Sequence, residues 1–344
     1  MADLRFDPVT GVWVAIARNR DARPMEYVAI DTVQHQLICP FCSGNEDETP
    51  HPVLVFGPQG KQLTDPNEQT NWLSRIVPNK FPSLAGRIPD RLRGNDDKEI
   101  GHKYGPFSSL ETDGIQEILI PSPRHIFSFS ELSDEELLTA MVVLQFRLAA
   151  LAEDKSTEHV MLFMNCRLEA GASLGHIHLQ IMSSPKTSVA LQHRRLRDLK
   201  HREENNEPLI QTVATWEKQQ EKRVLQVTDH FTVLCPFASR FAFQVWIIPH
   251  DLQRNFAKLT PAESAELGLL LRTYVSRIES ELKDPAYNIL LHQEPHKRAP
   301  ANDSFCPWYV ELFPRVSRAA GYELGTDVWV NPMSPELAAN RLRR

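Results

Sequence analysis

GASLGHIHLQIM, residues 171–182, is the stretch from which the fold is read. On a strand, side chains at i, i+2 and i+4 share a face, so His176, His178 and Gln180 point one way and Ile177, Leu179 and Ile181 the other. The apolar trio anchors the segment in a core. The polar trio lines a site, next to a glycine and a serine in the preceding loop.

Working outward, ILIPSPRHIFSFSELSDEELLTAMVVLQFRLAALAED (118–154) followed by HVMLFMN (159–165) predicts strand, loop, a helix opening near Ser133, and strand. The order returns in WIIPHDLQRNFAKLTPAESAELGLLLRTYVSRIESELKD (246–284) followed by YNILLHQ (287–293). Each helix starts at Leu-Ser or Leu-Thr with acids in its first turn and carries apolar residues at helical spacing. The expectation is an α+β fold made of one unit used twice, residues 1–185 and 186–344, with antiparallel sheets and packed helices. Laying Leu132-Ser133 on Leu259-Thr260 makes PWYVELF (307–313) the counterpart of GHIHLQI. Pro307 and Tyr309 then stand where histidines would be, so the first half is active and the second is scaffold.

With 344 residues, 42% apolar and 24% charged, the chain is ordinary globular stock. A net charge of −6 gives no electrostatic reason to bind a polyanion, so nucleic acid is not an expected partner. The basic run HRRLRDLKHR (193–202) is expected to be a solvated helix face or a mobile segment. MADLRFDPVTGVW has no secretory pattern and no apolar run is long enough to span a bilayer, so no membrane and a cytoplasmic location are expected. Five cysteines, Cys39, Cys42, Cys166, Cys235 and Cys306, are too few and too scattered for a disulfide framework.

The close pair in ICPFCSGNEDETP suits either a redox couple or a metal knuckle. A redox pair sits at a strand-to-helix junction, whereas the residues after Cys42 are polar and turn-prone, which favours metal. A closed zinc site needs four ligands, and His125 and His176 are available to complete Cys2His2 with Cys39 and Cys42. Spacing alone leaves open whether His176 and His178 both bind a metal or whether one stays free for chemistry.

Several motifs in order resemble the galactose-1-phosphate uridylyltransferase family of the histidine-triad superfamily, along nearly the whole chain. LRFDPVTGVWVAIARNRDARP (4–24) is similar to its N-terminal signature, CPFCSGNEDETP (39–50) to its zinc-site opening, and RIVPNKFP (75–82) to its nucleotide loop. SPRH (122–125), NCRLEAGASLGHIHLQ (165–180) and AGYELGTDVWVNP (320–332) resemble the next ligand loop, the active-site signature and the sugar-side segment. The resemblance implies duplicated histidine-triad-like units and a structural zinc on Cys39, Cys42, His125 and His176. It implies that His178 is the nucleophile and Gln180 the amide on a phosphoryl oxygen, with Asn165, Gly171 and Ser173 on the phosphate side. It further implies Asn79 beside the nucleoside, Arg20 and Arg23 near the diphosphate, Tyr322 and Glu323 at the sugar, and a homodimer acting on a nucleotide sugar and a sugar phosphate.

The chain departs from the family pattern at Arg167, where glycine is frequent, and at Gly175 and Ile177, which replace prolines. Pro307, Tyr309 and the lack of a CxxC between 186 and 234 argue against a second metal. GTDVWVNP also resembles the ADP-glucose phosphorylase branch, in which phosphate is the acceptor.

Chemically, a neutral imidazole attacks phosphorus well near pH 7, provided its other N–H is held by an acceptor such as a backbone carbonyl of the same loop. An amide at Gln180 cannot exchange protons as a third histidine would, but a sugar 1-phosphate leaves as a stabilised anion and needs little protonation. The expected function is therefore nucleotidyl transfer through a nucleotidyl-histidine, with galactose-1-phosphate uridylyl transfer as the leading assignment. The alternatives are an ADP-glucose phosphorylase-like reaction and a non-catalytic, zinc-stabilised nucleotide-binding protein.

Overall fold

The computed structural model describes residues 3–17, 38–64, 71–83, 101–110, 114–154, 159–184, 187–294 and 305–344. A hairpin of β1 (Asp3–Phe6) and β2 (Trp13–Ile16) precedes β3 (Leu54–Phe56), β4 (Ser74–Pro78), the small pair β5 (Gly101–Tyr104) and β6 (Phe107–Leu110), and β7 (Gln116–Ile120). Helix α1 (Asp134–Glu153) leads to β8 (His159–Cys166) and β9 (Leu179–Ser184), then to α2 (Val189–Asn205) and α3 (Leu209–Gln220). The second series is β10 (Val224–Val227), β11 (Phe231–Leu234), β12 (Val245–Pro249), α4 (Pro261–Leu282), β13 (Tyr287–Gln293) and β14 (Trp308–Pro314). It closes with α5 (Gly321–Thr326), β15 (Trp329–Asn331) and α6 (Pro335–Leu342).

Ten of these strands form one antiparallel sheet in the order β10-β11-β12-β14-β13-β8-β9-β7-β4-β3. From the edges inward, β3, β4, β7, β9 and β8 match β10, β11, β12, β14 and β13 one for one. The α+β unit is thus duplicated, and the copies join where β8 pairs β13, with Asn165 opposite Asn288. Outside this sheet, β2 pairs in parallel with β15, so the first strands pack against the end of the chain. Among the described residues no helix is long and apolar enough to cross a membrane.

The helices start where the sequence says. Ser133 and Thr260 are N-caps with complete capping boxes through Glu136 and Glu263, each worth about 1 kcal/mol. One sheet face buries Leu162, Met164, Leu179, Ile181, Ile289, Leu291 and Val310 against Leu137, Met141, Leu144 and Leu148 of α1 and Leu267, Leu271 and Val275 of α4. Burying each such side chain contributes about 1.5–3 kcal/mol. The two helices touch closely at Gly268, where an added Cβ would stand 3.1 Å from Met141 Cγ. The alternate residues of the same strands, among them Asn165, Gln180, Asn288, His292, Tyr309 and Glu311, face the other way.

The loop that carries His125 is locked to α1 by one carboxylate. Glu136 accepts from Ser122 Oγ at 2.7 Å, Arg124 Nε at 2.8 Å and the Ser133 N–H at 2.8 Å. Burial alone would raise its pKa, but Arg124, Ser122 and Ser133 outweigh that and hold it at about 2. Its folded pKa is depressed, so its stabilisation is present above the ordinary carboxyl pKa and is lost as pH falls through about 2. Glu136→Gln should therefore cost about 2–3 kcal/mol at pH 7. Urea unfolding should show this gap shrinking toward pH 2; a gap independent of pH would refute the assignment.

The basic run is neither a solvated face nor a mobile segment. It lies within α2 and is largely engaged: Arg194 Nη1 donates to His292 Nδ1 at 2.9 Å, Arg197 donates to the Thr10 carbonyl, and Arg202 pairs with Asp198 and with Glu294, the latter at 3.0 Å. The run has partners because the second half's site face is polar. His292 Nε2 donates to the buried Glu311 at 2.6 Å, and Arg240 binds both Glu311 oxygens at 3.0 and 3.1 Å. Tyr309 stacks on His292 at 4.6 Å. Where the first half has His178 and Gln180, the second half has Tyr309 and Glu311, and Glu311 is taken up by His292 and Arg240.

Candidate active site and metal centre

Cys39 and Cys42 sit on a tight turn closed by the Cys42 N–H on the Cys39 carbonyl (3.3 Å) and by Asn45 Nδ2 on the same carbonyl (2.9 Å). Beneath the turn, Arg75 donates to the Pro40 carbonyl and to Thr49 Oγ1, both at 3.0 Å, and lies over the Trp72 ring. The turn is thus held by contacts within the chain. His125 comes from the loop after β7 and His176 from the segment before β9. Sγ of both cysteines and one ring nitrogen of each histidine lie within 4.8 Å of one another. Cys42 Sγ is 3.2 Å from His125 Nδ1 and 3.6 Å from His176 Nδ1, and Cys39 Sγ is 3.7 Å from His176 Nδ1.

A tetrahedral zinc would set such edges at about 3.3–3.8 Å, so the group fits a divalent, thiophilic ion. His176 Nε2–H donates to the Ser122 carbonyl at 3.1 Å, which leaves Nδ1 as a lone pair toward the thiols. Burial pushes the Cys42 thiol up to about 11, with Cys39 adding to the rise, and burial lowers His176 to about 4. These four residues could hold a metal ion.

His178 lies 3.0 Å from the His176 carbonyl through Nδ1. As a donor there, Nδ1 carries the ring proton, and Nε2 keeps its lone pair. The ring is 4% exposed, and burial lowers its pKa, so it is neutral. Phe41, from between the two cysteines, meets it edge-on at 5.2 Å, so the metal turn packs directly on this imidazole. Gln180 Oε1 accepts from Gln116 Nε2 at 3.4 Å, which leaves the Gln180 amide N–H groups as its donors. Regular strand pairing begins only at Leu179, not at His176. The Ile177 N–H is taken by the Ile126 carbonyl at 3.0 Å instead of by β8, and this bend frees both imidazoles from the ladder.

A family model described as "Domain of unknown function (DUF4921)" matches residues 139–344, more than half of the chain. The chain belongs to this family. It is also homologous to galactose-1-phosphate uridylyltransferases and to ADP-glucose phosphorylase. It is 27% identical to the ADP-glucose phosphorylase of Arabidopsis thaliana over 99% of this chain and 92% of the relative. With the galactose-1-phosphate uridylyltransferase of Thermotoga maritima it shares 24% over 100% of this chain and 98% of the relative. Among solved structures, an Arabidopsis thaliana ADP-glucose phosphorylase crystallised with ADP-glucose superposes with a TM-score of 0.81 at 26% identity, covering 100% of this chain and 99% of that one. A uridylyltransferase structure shares the fold with a TM-score of 0.73 at 19% identity, covering 100% and 97%. The chain is an enzyme of this nucleotidyl-transferring group.

Of the phosphate-side candidates, Asn165 and Gly171 belong to one network. Asn165 Nδ2 donates to the Gly171 carbonyl at 3.3 Å, and Asn288 Nδ2 donates to Asn165 Oδ1 at 2.8 Å and to the Ala170 carbonyl at 3.0 Å. Gly171 has φ +96°, and an added Cβ would stand 3.4 Å from Asn165 Nδ2. Gly171→Ala should cost about 1–2 kcal/mol and displace Asn165, lowering turnover about tenfold; unchanged kcat and Tm would refute this. Ser173 is exposed in the same loop. Asn79 caps its own turn, accepting from the Phe81 N–H at 2.9 Å, while its backbone N–H is held by the Gln116 carbonyl.

Arg20 and Arg23 lie outside the described residues. Tyr322 and Glu323 lie on α5, and Glu323 caps the Ala320 N–H at 3.0 Å. No hydrogen bond or ion pair among the described residues joins them to His178 or Gln180. Sequence reasoning missed Phe41, Gln116 and Asn288. The signals for these were weak: an aromatic inside the CxxC, and amides on strands whose neighbours only the sheet register reveals.

Proposed function

We propose that this protein moves a nucleoside monophosphate from a nucleoside diphosphate hexose to a phosphate-bearing acceptor through a covalent bond to His178. The supporting observation is the His178 ring itself: its Nδ1–H is spent on the His176 carbonyl, leaving Nε2 as a fixed, neutral nucleophile beside the amide of Gln180. Nε2 attacks the phosphorus next to the nucleoside, the bond to the hexose phosphate breaks, and its electron pair leaves with the sugar 1-phosphate. The acceptor oxygen then takes the nucleotide and restores the imidazole. Gln180 donates to the phosphoryl oxygen as charge develops, with the Asn165 and Gly171 loop behind it and the Ser173 hydroxyl at its rim.

We assign Asn79 to the nucleoside, Arg20 and Arg23 to the second phosphate, and Tyr322 with Glu323 to the sugar in a homodimer. Zinc on Cys39, Cys42, His125 and His176 would supply rigidity, tying the CPFC turn and the SPRH loop to the segment that carries His178.

Similarity to the Arabidopsis thaliana enzyme favours ADP-glucose as donor and inorganic phosphate as acceptor. The Thermotoga maritima relative supports the second reading, uridylyl exchange between UDP-glucose and a hexose 1-phosphate. Incubating the protein with each nucleotide sugar and no acceptor, then weighing it intact, separates them. An adenylyl adduct discharged by phosphate supports the first and a uridylyl adduct discharged by a hexose 1-phosphate the second. Absence of either adduct would overturn nucleotidyl-histidine chemistry.

A further inference from the structure

We propose that Arg167 binds the phosphate that leaves with the sugar and that later attacks as acceptor, a role that rests on the nucleotidyl-transfer reading of His178. Arg167 has φ 70° and ψ 166°, a backbone region that side chains with a Cβ almost never occupy. Such a conformation persists only where the surroundings impose it. Here the Arg167 carbonyl is gripped by the Ala170 and Ala172 N–H groups at 3.2 and 3.0 Å, which shapes the loop running to His176. Glycine would adopt this geometry without strain, so the loop has no structural need of an arginine.

Nor does the side chain serve the fold. Arg75, Arg124, Arg147, Arg223 and Arg240 all spend their guanidinium groups on carboxylates or carbonyls. Arg167 has no hydrogen bond or ion pair through its guanidinium among the described residues; its Nε is buried without an acceptor, as are those of Arg195 and Arg315, but of these only Arg167 stands on a positive-φ backbone. A half-buried, unpaired cation on a strained backbone calls for an anion from outside the chain.

Position identifies that anion. Arg167 opens the tight loop that carries the phosphate-side candidates: Asn165 Nδ2 donates to the Gly171 carbonyl at 3.3 Å, and the Ala172 N–H, next to Ser173, returns to the Arg167 carbonyl. When Nε2 of His178 displaces the hexose phosphate, the departing oxygen takes the electron pair and the phosphate gains one negative charge. A guanidinium matches that dianion with two parallel N–H donors and stays protonated throughout.

The test uses the full-length protein and the variants Arg167→Gly, Arg167→Ala and Arg167→Lys. The probes are glucose 1-phosphate and inorganic phosphate by calorimetry, and ADP-glucose and UDP-glucose for adduct formation. Arg167→Gly should melt a few degrees higher, because the backbone relaxes, yet bind glucose 1-phosphate about 10–100-fold more weakly. Arg167→Ala, which keeps the backbone strain, should lose the same affinity without the gain in Tm, and Arg167→Lys should recover only part of it. Affinities within twofold of the wild type in Arg167→Gly and Arg167→Ala overturn the proposal, and adducts that still form would leave the His178 reading intact. Arg167-dependent phosphate binding without any adduct upholds Arg167 as the anion site while sinking nucleotidyl transfer. A wild-type protein that binds neither phosphate probe overturns the role of Arg167, whatever the adduct assay returns.

Discussion

His178→Ala should lower turnover about 100,000-fold and abolish the nucleotidyl adduct, because no neighbouring group can replace a buried nucleophile that the backbone has already oriented. The variant should still fold. His178 contributes one hydrogen bond to the His176 carbonyl and an edge contact to Phe41, so its removal should cost only about 1–2 kcal/mol. A Tm within several degrees of the wild type, with no adduct by intact mass, is the expected pair of results. Gln180→Ala should be milder, losing about 100–1,000-fold in kcat while still accumulating adduct, since it removes one donor to the developing charge. Turnover in His178→Ala within tenfold of the wild type would end the covalent mechanism.

The metal centre carries the second large effect. Cys42→Ser, or prolonged exposure to a strong chelator, should remove about one metal ion per chain and lower Tm by more than about 10 °C, since a structural zinc is worth about 10–16 kcal/mol in small zinc domains, comparable to a whole domain's stability. Activity should fall with it. The CPFC turn holds Phe41 against His178, and His176, whose carbonyl orients that ring, is one of the four residues that could hold the ion. Metal content by plasma mass spectrometry together with thermal melts tests this. A protein that keeps its Tm and adduct formation after complete metal loss would show that the Cys2His2 group is not a structural site.

Much of this architecture is legible locally. The capping boxes at Ser133 and Thr260, the helical stripes after them and the alternation of Leu179 and Ile181 with Gln180 depend on neighbours one to four residues away, so the residues themselves declare them. Their recurrence announced the duplication, and the one-for-one match of strand order bears it out. Misreadings arose where partners are remote. The basic run of α2 looked like a free surface because its acceptors, Thr10, Glu294 and His292, lie far away in the chain. His176 and His178 looked like strand residues because alternation says nothing about which backbone takes the Ile177 amide.

By itself the sequence determined the element order, the two-fold repetition, the apolar face of each strand and the residues able to bind a metal or attack phosphorus. These follow from periodicity and side-chain chemistry, which act over short stretches of chain. Only the tertiary structure decided that Cys39 and Cys42 meet His125 and His176, that His178 Nδ1 faces the His176 carbonyl, that Gln116 donates to the Gln180 amide oxygen, and that Arg167 stands on a glycine-like backbone. Those facts depend on sheet register and on backbone carbonyls brought together from distant segments, and neither is written in any single stretch of residues.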